Sequence, residues 1–317
     1  MTDTSQYTLS LVVPIYGVER YIGHFAESVF AQWCEGVEYV FVNDGTKDRS
    51  VEVLEGVIGE KFAHLRPHIA IVHQQNMGLP QARRTGFLAA RGEYILCADS
   101  DDWLSEGALS RVVEEIRRTG ADLVCFDLVK EYGDHRSIKR EGNYLAEERH
   151  RFIADIFNYK TPGYTVTKCF RRSLYTDNHI HTPKLSMHED MCLMAQIIFY
   201  ARSIVHLPEV LYHYRKDNPD SLCAQSRSVR HLASSRNMLD LYGHYKERLQ
   251  GSPIEHVWGG LVLRAGWHAI IHKEARVLWT EFPWLADSVR RAPLAFNYRT
   301  PFVFQVVTKI YVALFKR

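Results

Sequence analysis

Two short runs, Asp99-Ser100-Asp101-Asp102 and Glu189-Asp190, concentrate carboxylates in a chain whose net charge is only +2. Asp99 and Asp101 directly follow the apolar Tyr94–Ala98, and alternation along an extended chain sends both to one side of a strand end. Paired hard oxygens there suit Mg²⁺ or Mn²⁺, which use few protein carboxylates and take further ligands from water and substrate phosphates. The chemistry implied is a metal-diphosphate site. A second acidic loop, Asn43-Asp44-Gly45-Thr46-Lys47-Asp48, also follows a strand-like run. Tyr16, just past the apolar Leu9–Pro14, offers a ring to stack on a flat base, and Asp44 a carboxylate to accept an imide N–H. Singly, each has an ordinary explanation: a solvated loop, a packed tyrosine, or acidic residues meeting a helix dipole. Two acidic loops at one predicted sheet edge are harder to explain that way.

The positioning elements follow from hydrophobic period. Strands are predicted at Leu9–Pro14, Tyr39–Val42, Ile69–Val72, Tyr94–Ala98 and Leu123–Val129, with helices at Tyr21–Gln32, Ser50–Lys61, Leu79–Ala90 and Ser105–Arg118 between them. This alternation predicts an α/β fold with a mostly parallel sheet and helices on both faces, binding ligands at the carboxyl ends of its strands. Residues 131–151 read as an irregular excursion. A helix at Phe152–Phe157, a strand at Tyr164–Phe170, a helix from Glu189 through Phe199 and a strand at Ile204–Leu207 follow. After a polar linker at 217–226, long helices are expected at Val229–Leu249 and Ile254–Leu278. The chain thus divides into a nucleotide-binding catalytic domain, 1–225, and a basic helical region, 226–317.

The 317 residues leave room for roughly two domains, and 46% hydrophobic and 24% charged residues describe an ordinary globule. Residues 1–225 hold 25 basic and 31 acidic side chains, net −6, whereas 226–317 hold 14 and 6, net +8. The near-neutral whole argues against a nucleic-acid binder, and the asymmetry predicts different partners for the two parts. Six scattered cysteines without a CxxC pair, and an N-terminus lacking a signal-peptide core, predict a cytoplasmic protein. Neither GxGxxG nor GxxxxGK[ST] occurs, so a dehydrogenase and a P-loop kinase lack their phosphate cradles.

Taken in order, Leu11-Val12-Val13-Pro14-Ile15-Tyr16, Asn43–Asp48, Asn76-Met77-Gly78 with Ala82-Arg83, Gly92-Glu93-Tyr94-Ile95, Asp99–Asp102 and Glu189-Asp190 resemble the family 2 glycosyltransferases of GT-A fold. The resemblance covers about residues 9–225. It implies a Rossmann-like sheet and an inverting, metal-dependent transfer from a nucleoside diphosphate sugar, with UDP the expected nucleotide, to a hydroxyl of a growing surface glycan or lipid-linked oligosaccharide. By position it assigns Pro14, Tyr16, Asp44, Arg83, Asp99, Ser100 and Arg215 to the donor. Asp101 and Asp99 go to Mn²⁺ or Mg²⁺ with His213 as an additional ligand, Asp190 becomes the general base, and Glu189 and Lys168 stand on the acceptor side. Asp220-Ser221-Leu222 matches the segment that closes over the diphosphate. Gly17, Asn43 and Arg84 depart from the family pattern and bear on base and sugar selectivity.

The tail 300–317 is apolar for about 14 residues, short of the roughly 20 that span a bilayer. One reading lays it in a membrane interface, with Phe302, Phe304, Ile310, Leu314 and Phe315 in the acyl boundary and Arg290, Arg291, Arg299, Lys309, Lys316 and Arg317 at headgroups. Gln305, Thr308, Lys309 and Lys316 form its narrow polar side. The other reading docks it on the catalytic domain or on a second subunit, leaving a homo-oligomer open. A nucleotidyltransferase is the enzymatic alternative, though Tyr16-Gly17-Val18-Glu19 does not supply its basic, glycine-rich loop. An inactive nucleotide-sugar-binding scaffold is the non-enzymatic one, and the retained Asp101 and Asp190 argue against it.

Overall fold

The computed structural model describes residues 7–218, 227–249, 255–292, 294 and 302–315. Asp220, Ser221, Leu222, Cys223, Arg299, Lys316 and Arg317, and the side chain of Phe315, lie outside the described residues. Strands β1 (Tyr7–Ile15), β2 (Val37–Asn43) and β3 (Ile69–His73) alternate with helices α1 (Ile22–Phe30), α2 (Ser50–Lys61) and α3 (Leu79–Ala89). Next come β4 (Gly92–Cys97), β5 (Trp103–Leu104), α4 (Ala108–Thr119), β6 (Leu123–Glu131) and β7 (Arg136–Lys139). α5 (Arg149–Phe157), β8 (Lys168–Arg171), α6 (Arg172–Thr176), α7 (Glu189–Tyr200) and β9 (Ile204–Arg215) complete the sheet-bearing part. The C-terminal part holds α8 (Arg227–Leu249), α9 (Glu255–Ile271), α10 (Leu278–Glu281), α11 (Leu285–Arg291) and α12 (Phe302–Phe315).

The strands form one sheet of order β3-β2-β1-β4-β8-β6-β9-β5, with β7 beside β6. Pairs β1–β2, β2–β3, β1–β4 and β6–β9 are parallel, while the short β5, β7 and β8 run against their neighbours. Alternate residues of β1 explain why the sheet is apolar on both faces. Leu11 and Val13 join a core with α1, α2 and α4, whereas Val12 joins one with α3, α5 and α7. Gly86 lets α3 approach closely, since a Cβ there would lie 2.3 Å from Val12 Cγ1. The chain runs outward from β1 to β3 and returns to β4 on the other side of β1, so the crevice falls at the ends of β1 and β4.

Three expectations change. Tyr164–Phe170 is a 3₁₀ turn, Thr165–Thr167, leading into β8, because only four residues fit between β4 and β6. β9 runs on to Arg215, paired with β6 as far as Glu131. The expected helix 254–278 stops at Ile271, followed by a 3₁₀ turn at Lys273–Val277. The division at 225/226 is not a packing boundary. Met238, Leu241 and Tyr245 of α8 and Trp258 and Leu261 of α9 share the core with Phe152, Phe157 and Ile197. Leu263, Leu278, Leu285, Val289 and Val312 form a separate cluster farther along.

Candidate functional site

The loops after β1, β2 and β4 meet at one edge and are tied by their own side chains. Ser100 is buried and its hydroxyl donates to the Pro14 carbonyl at 2.7 Å. Ser100 therefore joins the loops after β1 and β4 through its hydroxyl hydrogen. Pro14 is buried beneath this tie, while Tyr16 is 51% exposed and its ring is free to meet a base. Asp44 accepts from Gln74 Nε2 at 2.7 Å and from the backbone N–H groups of Met77 and Gly78 at 2.8 and 2.9 Å. Those donors use three of roughly four carboxylate lone-pair directions, so Asp44 shapes the 74–78 segment and keeps one direction for a ligand. Gly45, with φ +65°, is required there because a Cβ would sit 2.9 Å from Asn76 N.

Asp99 is held from two sides. Its backbone N–H donates to Tyr212 Oη at 3.0 Å, and its carboxylate accepts from Arg83 Nη2 at 2.8 Å. Tyr212 in turn donates to Asp102 at 2.7 Å, and Asp102 also accepts the Arg215 backbone N–H at 2.8 Å. Asp102 is thus a buried strut between the β4 loop and β9, and burial beside Asp101 and Asp99 pushes its carboxyl well above the usual range. Arg215 donates from Nε to the Asp101 carbonyl at 2.9 Å and lies across the rings of Trp103 and Tyr21. The structure therefore brings Arg215 to the Asp101 loop, as the sequence reading requires.

Arg83 is the center of the site, its side chain 2% exposed. Nη1 donates to Asp190 and, at 3.2 Å, to Glu189 Oε1, while Nη2 reaches Asp99. Nη1 and Nη2 thus position three acidic side chains, while Nε is buried with no hydrogen-bond partner among the described residues. Asp190 also accepts from Thr165 Oγ1 at 2.9 Å. Burial, reinforced by the charge of Asp190 and opposed by Arg83, pushes Glu189 up to about 8. Burial likewise raises Asp99, against Arg83.

Two further residues are spent inside the protein. His213 bonds Glu131 through Nδ1 at 2.8 Å and Ser105 through Nε2 at 3.0 Å, with its ring stacked on Trp103. Lys168 is completely buried, its Nζ donating to Glu141 at 2.5 Å, to the carbonyls of Pro162 and Tyr164, and to Thr167. A cation with four internal acceptors is structural and does not face an acceptor substrate. Asp101 and Asp99 do suit a substrate-borne Mg²⁺ or Mn²⁺. Asp101 spends Oδ2 on Asn218 at 2.8 Å, and Asp99, Glu189 and Asp190 share the Arg83 guanidinium. Among the described residues no group of three His, Cys, Asp or Glu side chains is placed to hold a metal ion.

Sequence reasoning missed the grip of α8 on the approach to Asp190. Asn237 accepts from Leu185 N at 3.2 Å and donates to the carbonyls of Leu185 and Met187 at 2.6 and 2.9 Å. Ser234 bonds His188 at 2.6 Å, and Asp240 bonds His181 at 2.8 Å. These residues recur at helical spacing on α8, and they hold His188 with φ +57°, a left-handed conformation uncommon outside glycine, directly before Glu189. The available signal was Ser234, Asn237 and Asp240 on an otherwise apolar face.

Residues 10–178 match the family model described as "Glycosyl transferase family 2". The chain is 32% identical over 216 residues to the putative glycosyltransferase EpsH of Bacillus subtilis, covering 65% of this chain and 60% of that protein. It is 25% identical over 258 residues to the minor teichoic acid biosynthesis protein GgaB of the same organism, 77% of this chain and 27% of the other. It therefore spans less than two thirds of either relative. The crystal structure of S. aureus TarS 1-349 in complex with UDP-GlcNAc superposes with TM-score 0.67 at 16% identity, covering 97% of this chain and 92% of that one, a likeness of fold.

Proposed function

Because the chain belongs to glycosyltransferase family 2, we propose that it transfers a sugar from a nucleoside diphosphate, with UDP the first choice, to a hydroxyl of a growing cell-surface glycan with inversion at C1. The observation that carries this reading is the bridge made by Arg83, which holds the β4-loop carboxylate Asp99 and the α7 carboxylate Asp190 in one cleft. UDP-GlcNAc bound by the similarly folded TarS supports the choice of nucleotide, and GgaB, a minor teichoic acid biosynthesis protein, supports the acceptor class.

In this mechanism Tyr16 and Asp44 receive the base, and Arg215 reaches phosphate oxygens beside Asp101. Asp101 and Asp99 are the residues that would hold Mn²⁺ or Mg²⁺, whose charge would then neutralise the departing diphosphate. Asp190 accepts the proton of the acceptor hydroxyl while its oxygen bonds to C1 and the C1–O bond to the diphosphate breaks. Arg83 and Thr165 aim the Asp190 carboxylate during that step. A protonated Glu189 beside it offers a hydrogen-bond donor to the acceptor or to Asp190.

The test is nucleoside diphosphate release from a panel of UDP-, GDP- and dTDP-sugars, with Mn²⁺ or EDTA, by the wild type, Asp101→Ala and Asp190→Asn. Turnover of one donor that needs metal and is lost in both variants is the expected result. Failure of every nucleotide to bind would overturn the donor-site assignment.

A further inference from the structure

Helix α12 packs with its polar Gln305 and Thr308 turned inward. Gln305 and Thr308, the polar side in the sequence reading, are fully buried, and Val312 joins the cluster formed by Leu263, Leu278 and Val289. Gly266 of α9 admits the helix, since a Cβ there would lie 2.9 Å from Thr308 Cγ2. Phe304 stacks on Trp267 with ring centres 4.4 Å apart. The apolar side consequently faces outward: Val303 is 65% exposed, Ile310 54% and Leu314 63%, with Val307 exposed between them. These four recur at helical spacing and form one stripe along the helix. Beside it, Lys309 donates to the Arg290 carbonyl at 2.7 Å, which sets Lys309 against the end of α11 where Arg290 and Arg291 stand.

We propose that this face binds an anionic lipid bilayer, with α12 lying in the plane of the headgroups. At 14 residues the helix is too short to cross, and among the described residues no helix is long and apolar enough to do so. An apolar stripe bordered by basic residues is what an interfacial helix presents, the stripe entering the acyl boundary and the cations meeting phosphate headgroups. Charge selects the bilayer over a second copy of this chain. A two-fold pairing of α12 would bring the Arg290, Arg291 and Lys309 clusters of two copies together, and the adjacent acid, Asp287, is already paired with Arg290. The net +8 of residues 226–317 acts in the same sense.

The full chain is floated with vesicles of phosphatidylcholine alone and of phosphatidylcholine with phosphatidylglycerol. Wild type partitions to the anionic vesicles, Val307→Asp/Ile310→Asp lowers that partition by at least about tenfold, and Arg291→Gln/Lys309→Gln flattens its salt dependence. The substituted side chains of the first variant are exposed, and thermal melting checks that it folds. Val303→Asp/Leu314→Asp repeats the test at the helix ends should it melt early. Absence of wild-type binding overturns the proposal, as does binding that neither apolar variant weakens. A wild-type dimer in solution that Val307→Asp/Ile310→Asp dissociates assigns the face to a second copy instead.

Discussion

The guanidinium of Arg83 is hydrogen-bonded to the carboxylate of Asp190, so the residue assigned as base is held by a buried cation on α3. The same guanidinium holds Asp99, which couples the β4 loop to the start of α7. Removing Arg83 would leave Asp99 and Asp190, with Glu189 beside them, without their shared cation and with little water. Arg83→Gln is expected to destabilise the fold by about 3 kcal/mol, measured by denaturant unfolding. A loss under about 1 kcal/mol would mean that the carboxylates rearrange without it.

Asp190 and Glu189 separate by chemistry. Asp190→Asn removes the proton acceptor and is expected to slow transfer by about 10²- to 10⁴-fold. Glu189 is pushed up to about 8 and already carries a proton at neutral pH, so Glu189→Gln copies its neutral form and costs much less. Initial rates of nucleoside diphosphate release at saturating donor distinguish the two. The reverse ranking would assign the base to Glu189.

Glu189 also predicts a pH dependence of stability. Its folded value lies above the ordinary 4.5, so the folded chain keeps a proton that the unfolded chain releases. The contribution is therefore full below about 4.5 and is lost as pH rises through about 8. Glu189→Gln lacks this loss. The melting temperature of the variant minus that of the wild type should grow between pH 5 and pH 9, by the equivalent of more than about 1 kcal/mol. A constant difference would show that Glu189 is ionised throughout.

Lys168 and Glu141 should behave as one buried unit. Lys168→Met strands Glu141 without its cation and is expected to cost about 3–5 kcal/mol. Adding Glu141→Gln should restore much of that, and turnover per folded molecule should stay near wild type. Retained stability with lost acceptor affinity in Lys168→Met would return the residue to the acceptor side.

Asn237 tests whether α8 positions the catalytic segment. Asn237→Ala removes three hydrogen bonds to Leu185 and Met187, with a stability cost of about 1–3 kcal/mol. Turnover by molecules still folded is expected to fall about tenfold, because a displacement of about 1 Å at Asp190 costs more than that. Proteolysis at 181–188 should quicken in parallel. Unchanged turnover would reduce α8 to a packing element.

Much of the catalytic core was legible in the sequence. The alternating four- to seven-residue apolar runs specify a sheet covered on both faces, and strand ends place Tyr16, Asp44, Asp99 and Asp101 at one edge. Hydrophobic period and local turn chemistry are properties of neighbouring residues, so one chain suffices to read them. Partnership between distant residues is not local. Whether Lys168 meets a substrate or Glu141, whether His213 is free to bind a metal, and whether Arg83 faces a phosphate or three carboxylates depends on which strand lies beside which. α12 shows the same limit from the other side. Its periodicity reveals two faces, but which one turns inward was decided by Gly266 and the packing of α9 and α11 around Thr308 and Val312.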